Sequence, residues 1–281
     1  MDTITDLFFS GKGSMFSKFV SQKFGQFAHK QFSPALQNFI NKTYIKMFDI
    51  SLDEHPPLES YKSLNELFTR KLTKQRGFEG DDNTLISPAD SRVTNFGVIE
   101  SGQILQIKGK TYSLAELLGS KEKADALEGG AFANLYLSPK DYHRFHAPCD
   151  AKVLYALHIP GALYPVNDPA LNTVDGLFAK NERVVVALEA SFGVFYMVFV
   201  GALNVGRIVI EWDERIKTNT DKDSISAYSY DDLHLKKGDE MGRFEMGSSI
   251  AVIFGKNQVE PLRTDGEKLR FGERLLGTTK R

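Results

Sequence analysis

The sequence predicts an α+β protein in which a helical N-terminal region lies on a β-rich, mostly antiparallel body. Up to about residue 80, apolar residues recur at helical spacing or fall in short polar helices. Beyond Asp82 the chain changes to short apolar runs separated by Gly, Pro and Asn, which is typical of strands and turns. We therefore expect a helical region over residues 1–80 and a β-rich domain over residues 81–281.

The composition excludes several classes of protein. Apolar residues make up 42% and charged residues 25% of the 281 residues, as in ordinary globular proteins. The formal net charge of -1 gives no overall reason to expect nucleic acid as a partner. Cys149 is the only cysteine, so neither an internal disulfide nor a thiolate metal cluster is expected, and a reducing compartment fits best.

Nothing in the sequence predicts a membrane-spanning helix or a secretory signal. No run of 18 apolar residues occurs. Asp2 and Asp6 occupy positions where a signal peptide would carry positive charge. We therefore expect the chain to stay in the cytoplasm.

The first 48 residues combine aromatic side chains with positive charge. They hold nine of the 21 phenylalanines, and six lysines against two aspartates give a local charge of +4 (6 − 2). Within Ser14–His29 the apolar residues at helical spacing are Phe16, Phe19, Val20, Phe24 and Phe27. Two interpretations stay open from this pattern: a helix that packs on its own domain, or one that lies in the interface of an anionic bilayer.

The remaining elements follow in order along the chain. A short polar helix is predicted over Leu64–Leu72, and helical interruptions are predicted near Leu114–Leu118 and around Asp141. Residues 217–235 are polar and weakly patterned, which predicts a long surface loop. Strands are predicted at the apolar runs Ile104–Ile107, Ala133–Leu137, Val153–Ile159, Arg183–Leu188, Val194–Val200, Arg207–Glu211 and Ser249–Phe254.

Three stretches contain residues that could carry chemistry. Ser87–Asp90 is a turn that presents a carboxylate before a strand, and Leu137–Pro148 places two of the six histidines three residues apart. Lys237–Ser249 runs into an apolar strand. Each stretch alone has an ordinary structural explanation as a turn, a pair of surface histidines or a bend. Together they supply a carboxylate, an imidazole and a hydroxyl, which serine hydrolases combine.

The position of Ser248 indicates attack on its own chain. Two histidines are too few for zinc without a third ligand at a suitable spacing, and the G-x-S-x-G elbow of hydrolases is absent from the sequence. Gly247 has no Cβ and can adopt the strained backbone that an N→O acyl shift needs. His146 would take the Ser248 proton while Asp90 holds the imidazole. Elimination from the resulting ester, and then loss of ammonia, would leave a pyruvoyl group.

These stretches resemble the signature segments of the phosphatidylserine decarboxylases, a pyruvoyl-dependent family. The family's Leu-Gly-Ser-Thr motif matches Met246–Ser249, and the Lys-Gly-x-x-Met-Gly-x-Phe stretch before it matches Lys237–Phe244. Its Tyr-His-Arg-x-His segment matches Tyr142–His146, and its Pro-Ala-Asp-Gly turn matches Pro88–Asp90, followed here by Ser91. With weaker similarity elsewhere, the resemblance runs from about residue 60 to about residue 255.

The resemblance implies a self-processed enzyme. Asp90, His146 and Ser248 would form the self-cleavage triad, and His143 would assist decarboxylation or reprotonation. Cleavage between Gly247 and Ser248 would give a β chain of residues 1–247 and an α chain of residues 248–281, held together as a heterodimer. Ser248 would become a covalent pyruvoyl group (bound pyruvate), with no metal required.

The resemblance also implies the substrate and its location. A Schiff base with the pyruvoyl group would convert phosphatidylserine to phosphatidylethanolamine and CO2, a step of phospholipid biosynthesis. Because this substrate resides in a bilayer, the Phe-rich N-terminal region is expected to contact the membrane surface peripherally, on its cytoplasmic face. Higher oligomers stay open.

Three alternatives remain open from the sequence. A serine hydrolase would use Asp90, His146 and Ser248 on an external ester and would stay a single chain. A lipid-binding surface protein would carry the same triad without using it. A pyruvoyl enzyme could also act on a soluble amino acid, which the N-terminal segment argues against.

Overall fold

The computed structural model describes residues 21–107, 110–166, 172–203, 207–220, 223–245 and 248–279. Helices come first along the chain, and strands dominate after residue 84. The helices are α1 (21–29), α2 (Pro34–Phe48), α3 (Leu64–Phe68), α4 (Leu114–Leu118), α5 (Lys121–Ala126) and α6 (Leu177–Lys180), with a 3₁₀ turn at Leu58–Ser60.

The strands form the body of the molecule. In chain order they are β1 (Thr84–Ile86), β2 (Ser91–Val98), β3 (Gln103–Ile107), β4 (Lys110–Ser113), β5 (Ala131–Leu137), β6 (Arg144–His146), β7 (Ala151–Ile159), β8 (Arg183–Ala190), β9 (Gly193–Gly201), β10 (Arg207–Ile210), β11 (Ser226–Leu235), β12 (Glu240–Glu245), β13 (Ser248–Phe254), β14 (Val259–Pro261), β15 (Lys268–Leu269) and β16 (Arg274–Thr278). Every pairing between these named strands is antiparallel.

An eight-stranded sheet carries the core, in the order β11-β7-β8-β9-β13-β5-β2-β15. Strand β13 lies inside this sheet, and successive side chains point to opposite faces. Ile250, Val252 and Phe254 belong to one buried cluster, whereas Ala251 and Ile253 belong to the cluster on the other side. Because both faces are covered, β13 is fixed by packing as well as by hydrogen bonds, and each large side chain contributes roughly 1.5–3 kcal/mol.

A smaller sheet places the histidine stretch beside the stretch that precedes Ser248. Its strand order is β10-β12-β6, so β6 and β12 are neighbours. Arg144 lies opposite Arg243, and His146 lies opposite Glu240. The remaining sheets pair β1 and β14 with β16, and β3 with β4.

The end of the N-terminal region is held by α3. The Ser63 hydroxyl accepts a hydrogen bond from the Glu66 amide at 3.1 Å, and the Glu66 carboxylate accepts one from the Lys62 amide at 2.7 Å. This reciprocal capping is worth about 1 kcal/mol and fixes the start of the helix. Leu67 and Phe68 are 0% and 1% exposed, so the helix is anchored in the interior.

The predicted fold class is confirmed, and each of the seven predicted apolar runs corresponds to a strand, although the strand of the run Arg207–Glu211 ends at Ile210. The predicted surface loop over residues 217–235 is wrong in its second half, since Ser226–Leu235 forms β11 and pairs with β7. This strand lies at the edge of the sheet, where its alternate residues face solvent. Its many polar residues therefore obscure the alternation of apolar and polar positions by which a strand is recognised. Its Tyr228, Tyr230 and Leu233 pack against the core, and their spacing was the available signal.

Two predicted helices also differ from the structure. The helix predicted around Asp141 is a single turn, in which the Asp141 amide donates to the Ser138 carbonyl at 2.9 Å. The Asp141 carboxylate accepts hydrogen bonds from the Ser138 amide and hydroxyl, which closes the turn and prevents further winding. The helix predicted over Leu64–Leu72 ends at Phe68. Among the described residues, no helix is both long and apolar enough to cross a bilayer.

Candidate active site

Ser248 stands at the head of β13, in the middle of the large sheet. Its Cα lies opposite Leu137 of β5 on one side and opposite Gly201 of β9 on the other. Gly247, the other partner of the predicted cleavage site, lies outside the described residues. The main chain directly after that bond is therefore held from two sides.

His146 is buried and has partners for both ring nitrogens. Nδ1 lies 2.9 Å from the Gly238 carbonyl oxygen, and Nε2 lies 3.1 Å from the Tyr142 hydroxyl. A carbonyl can only accept, so Nδ1 carries the proton and the Tyr142 hydroxyl donates to Nε2. Burial lowers the pKa of His146 to about 4, although the Gly238 carbonyl opposes this shift. The imidazole is neutral near pH 7.

Asp90 reaches His146 through a third residue. Its carboxylate is paired with the Arg76 guanidinium at 2.5 Å and accepts a hydrogen bond from the Phe271 amide at 2.8 Å. The Phe271 ring stacks on the His146 imidazole at 3.8 Å and 16°. The described hydrogen bonds of His146 go to Gly238 and Tyr142, so the carbonyl of Gly238 orients the imidazole in the way we expected of Asp90. Asp90 thus anchors the backbone of the residue whose ring covers His146.

His143 is fully buried and has one nitrogen to spare. Its Nδ1–H donates to the Asp141 carbonyl at 2.8 Å, whereas Nε2 has no hydrogen-bond partner among the described residues. The Phe68 ring lies 4.0 Å from the imidazole. Burial first, and then the nearby Arg70 cation, lower the pKa of His143 to about 3. The site therefore holds a neutral imidazole with an unshared electron pair on Nε2.

Along the chain, His143 is paired nearer to Ser248 than His146 is. His146 lies opposite Glu240, eight residues (248 − 240) before Ser248. The His143 carbonyl accepts from the Phe244 amide at 2.9 Å, four residues (248 − 244) before Ser248. The sequence analysis assigned the Ser248 proton to His146, and the pairing with β12 does not decide between the two histidines.

Several residues of the site escaped sequence analysis. Arg144 is buried, pairs with Glu240 and donates from Nε to the Thr69 carbonyl at 2.9 Å. Arg76 and Phe271 flank Asp90 although they lie 14 and 181 residues away along the chain. Arg144 lies inside the Tyr142–His146 motif and could have been found there. Arg76 and Phe271 gave no signal, since only the fold brings them to the site.

An apolar groove opens beside this site. Its volume is about 500 Å³. It is lined by Phe24, Phe27, Phe39, Ile40, Thr43, Tyr44, Met47, Phe48, Leu64, Phe68, Pro139 and Leu203. Phe68 belongs both to the groove and to the contact with His143. Phe39 and Met47, at 67% and 68% exposure, keep its outer side open to solvent.

Metal ions in proteins are held mainly by His, Cys, Asp and Glu side chains. Among the described residues, no group of three or more His, Cys, Asp or Glu side chains is arranged to hold a metal ion. The chemistry available from these residues is that of a hydroxyl-bearing residue, two neutral imidazoles and a paired carboxylate.

Comparison with known proteins gives consistent matches. The profile of the family described as phosphatidylserine decarboxylase matches residues 64–277, a range that spans the whole candidate site. The phosphatidylserine decarboxylase proenzyme of Helicobacter pylori is 42% identical over 262 residues, which cover 92% of this chain and 96% of the relative. That of Campylobacter jejuni is 40% identical over 265 residues, or 92% and 98%. That of Vibrio parahaemolyticus is 40% identical over 237 residues, or 80% and 82%.

Proposed function

Because this chain belongs to the phosphatidylserine decarboxylase family, we propose that it converts phosphatidylserine to phosphatidylethanolamine and CO2. One observation carries the proposal from the geometry. Phe68 forms a wall of the apolar groove and also contacts His143, whose Nε2 has no hydrogen-bond partner in the described ranges. A groove suited to lipid chains thus ends at a group suited to proton transfer, as the reaction requires.

The enzyme first cleaves its own chain between Gly247 and Ser248. The Ser248 hydroxyl adds to the Gly247 carbonyl, the C–N bond breaks, and an ester joins the two parts. Loss of the Ser248 α-proton then expels the carboxylate of residues 1–247, and water displaces ammonia from the remaining dehydroalanine. In this proposal His146 accepts the hydroxyl proton at Nε2, in place of the hydrogen bond that the Tyr142 hydroxyl donates there, and Asp90 supports His146 through Phe271.

The two products are expected to remain together. The fragment of residues 248–281 supplies β13, which pairs with β9 and β5 of the larger fragment. It also supplies β15, which pairs with β2, and β16, which pairs with β1. These antiparallel pairings hold the α and β chains as a heterodimer without a covalent link.

The residues present fit a pyruvoyl group at position 248. The chain holds that position at the head of β13, and His143 offers a buried Nε2 that has no hydrogen-bond partner within the described part of the chain. A pyruvoyl group formed there would supply a ketone that withdraws electrons from the bond to the departing carboxylate. His143 contributes a proton-transfer site at Nε2, while Phe68 excludes water from its face.

The N-terminal region brings the enzyme to the lipid. We propose that residues 1–80 associate peripherally with the cytoplasmic face of the membrane, with the groove open toward the acyl chains. Exposed Phe39 and Met47 and the exposed Lys42 and Lys46 on the same helix support this orientation. Apolar side chains enter the interface and lysines meet anionic headgroups.

The test is turnover of phosphatidylserine by the purified full chain. Vesicles of phosphatidylcholine with phosphatidylserine are expected to yield phosphatidylethanolamine and CO2, whereas free serine is expected to yield none. Ser248→Ala should abolish turnover completely, and Ser229→Ala, at an exposed serine of β11, serves as the control. Turnover of free serine at the same rate, or activity retained by Ser248→Ala, would contradict the proposal.

A further inference from the structure

Three consecutive residues at the end of α3 hold the segment that carries the two histidines. The Phe68 ring lies 4.0 Å from the His143 imidazole. The Thr69 carbonyl accepts a hydrogen bond from Nε of Arg144 at 2.9 Å. The Arg70 guanidinium donates hydrogen bonds to two backbone carbonyls of the segment just before the histidines. A helix end that is capped and buried thus forms a rigid support for this segment.

Arg70 and His143 share one hydrogen-bond acceptor. Nη2 of Arg70 donates to the carbonyls of Lys140 and Asp141 at 2.6 and 3.1 Å. The same Asp141 carbonyl accepts Nδ1–H of His143 at 2.8 Å. This carbonyl sets the rotation of the imidazole, so the guanidinium that holds the carbonyl also sets where Nε2 points.

The burial of Arg70 is costly for stability alone. The residue is 3% exposed, and its Nε and Nη1 have no hydrogen-bond partner among the described residues. Burial lowers the pKa of Arg70, because a cation in the interior loses its hydration. An apolar side chain of similar length would fill this space without that penalty. Such a departure from the rules of stability points to a role in function.

We propose that Arg70 is a positioning residue for His143, which it fixes through the shared Asp141 carbonyl. This inference rests on the proposed decarboxylation and extends it. The N-terminal region then does more than contact the lipid, because α3 lines the groove through Leu64 and Phe68 and leads directly into Arg70. The element that meets the acyl chains also holds the imidazole that handles the proton.

The experiment compares purified, self-processed Arg70→Met with wild type on vesicles of phosphatidylcholine and phosphatidylserine. We expect kcat to fall about ten- to a hundredfold with KM unchanged, because a misplaced group slows the reaction without weakening lipid binding. Self-cleavage should go to completion as in wild type. Arg70→Lys should restore part of kcat, since an ammonium can reach one carbonyl but lacks the planar fork.

The pH profile separates positioning from a merely structural role. The Arg70 cation contributes to the low pKa of His143, so its removal raises that pKa. The acid limb of kcat in Arg70→Met should therefore lie at higher pH than in wild type, whereas Arg70→Lys should keep the wild-type limb. Arg263→Met removes a surface arginine that pairs with Glu79 and Glu267, and it should leave both kcat and the limb unchanged.

Each possible result with the Arg70 variants either supports or overturns the proposed role of Arg70. Unchanged kcat in Arg70→Met, or blocked self-cleavage in a chain that melts like wild type, would overturn it. Should Arg70→Met fail to fold, Arg70→Lys carries the test by itself, because it keeps the buried cation but loses the planar fork that holds the two carbonyls. A fall in kcat with complete self-cleavage then sustains the inference, and unchanged kcat overturns it.

A readout without turnover keeps this test apart from the proposed function. The His143 imidazole can be titrated by NMR in Ser248→Ala chains, with His143→Gln used to assign its signal. Replacing Arg70 by Met should move that titration to higher pH. If wild type fails to decarboxylate phosphatidylserine, the function is wrong, and an unmoved His143 titration separately rejects the link to Arg70.

Discussion

The two histidines of the motif stand three residues apart and differ in one property. His146 has both nitrogens engaged, by Gly238 and Tyr142, and its ring is covered by Phe271. His143 is more deeply buried, yet its Nε2 has no hydrogen-bond partner among the described residues. An unpaired buried nitrogen costs free energy that a stable fold would avoid. The two histidines therefore differ in how many of their ring nitrogens are hydrogen-bonded, and not in whether they are buried or in the direction of their pKa shifts. We connect this difference to their separate roles in self-cleavage and decarboxylation.

Replacing each histidine by glutamine in turn tests whether the two residues have different roles. His143→Gln should complete self-cleavage and lower decarboxylation by about 10²–10⁴-fold, because it removes the proton-transfer nitrogen. His146→Gln should slow self-cleavage by a similar factor, and activity should follow the fraction of chain that is cleaved. Gel analysis of cleavage and CO2 release measure the two effects. His158→Gln, at a buried histidine paired with Glu182, is the matched control.

Equal effects of the two exchanges on both steps would contradict the comparison. So would self-cleavage that stops in His143→Gln and continues in His146→Gln. This second outcome is a serious test, because His143 is paired with a residue of β12 that is closer to Ser248 along the chain.

The apolar groove shares Phe68 with His143, so the role of the groove in lipid binding can be tested separately from the two histidines. Phe39→Asp combined with Met47→Asp places charge on side chains that are 67% and 68% exposed, so the core is unaffected. We expect binding to anionic vesicles to weaken at least tenfold, since insertion of each apolar side chain is worth up to roughly 1.5–3 kcal/mol. Vesicle sedimentation measures binding, and self-cleavage should be unchanged.

The control for the groove is another exposed apolar residue. Val98 lies at the end of β2, away from the groove, and is 56% exposed. Val98→Asp should bind vesicles like wild type. Equal loss of binding in this variant would mean that general surface charge, rather than the groove, determines attachment to the membrane.

The smallest effect concerns stability against acid. Both histidines have pKa values lowered by burial, to about 3 and about 4, so the unfolded chain binds more protons than the folded chain below pH 6.5. Their contribution is complete above pH 6.5 and is lost as the pH falls toward 4. In the single-chain Ser248→Ala background, adding His143→Gln should reduce the slope of unfolding free energy by about 1.4 kcal/mol per pH unit.

Urea unfolding at several pH values measures that slope. A slope that is unchanged between about pH 4 and 6 in the His143→Gln chain would show that His143 is protonated in the folded state. Such a result would contradict the neutral imidazole on which the proton-transfer role depends.

Much of the fold could be predicted from the sequence because periodicity reports which face is buried. The apolar runs predicted most strands of the central sheet, and the Gly and Pro residues between the runs predicted the turns. The edge strand β11 was missed because one solvent-exposed face makes its residues largely polar. The segment around Asp141 was predicted as a helix, but the hydrogen bonds of the Asp141 carboxylate to Ser138 close a single turn there. Such side-chain bonds also occur at the start of helices, so the sequence alone does not distinguish the two.

The candidate site was predictable only where side chains themselves carry the signal. Asp90, His143, His146 and Ser248 stand in short motifs. The partner that orients His146 is the backbone carbonyl of Gly238, which no side-chain pattern can reveal. Phe271 and Arg70 come to the two histidines from distant parts of the chain, and only strand pairing and the end of α3 place them there.

The central claim is that the chain becomes active by cutting itself before Ser248. Intact-mass spectrometry of the purified, folded protein tests it most directly. We expect fragments of residues 1–247 and 248–281 in place of one 31.5 kDa chain, with the smaller fragment lighter than its serine-headed form by the mass of ammonia. A folded chain that decarboxylates phosphatidylserine while remaining intact would contradict the account.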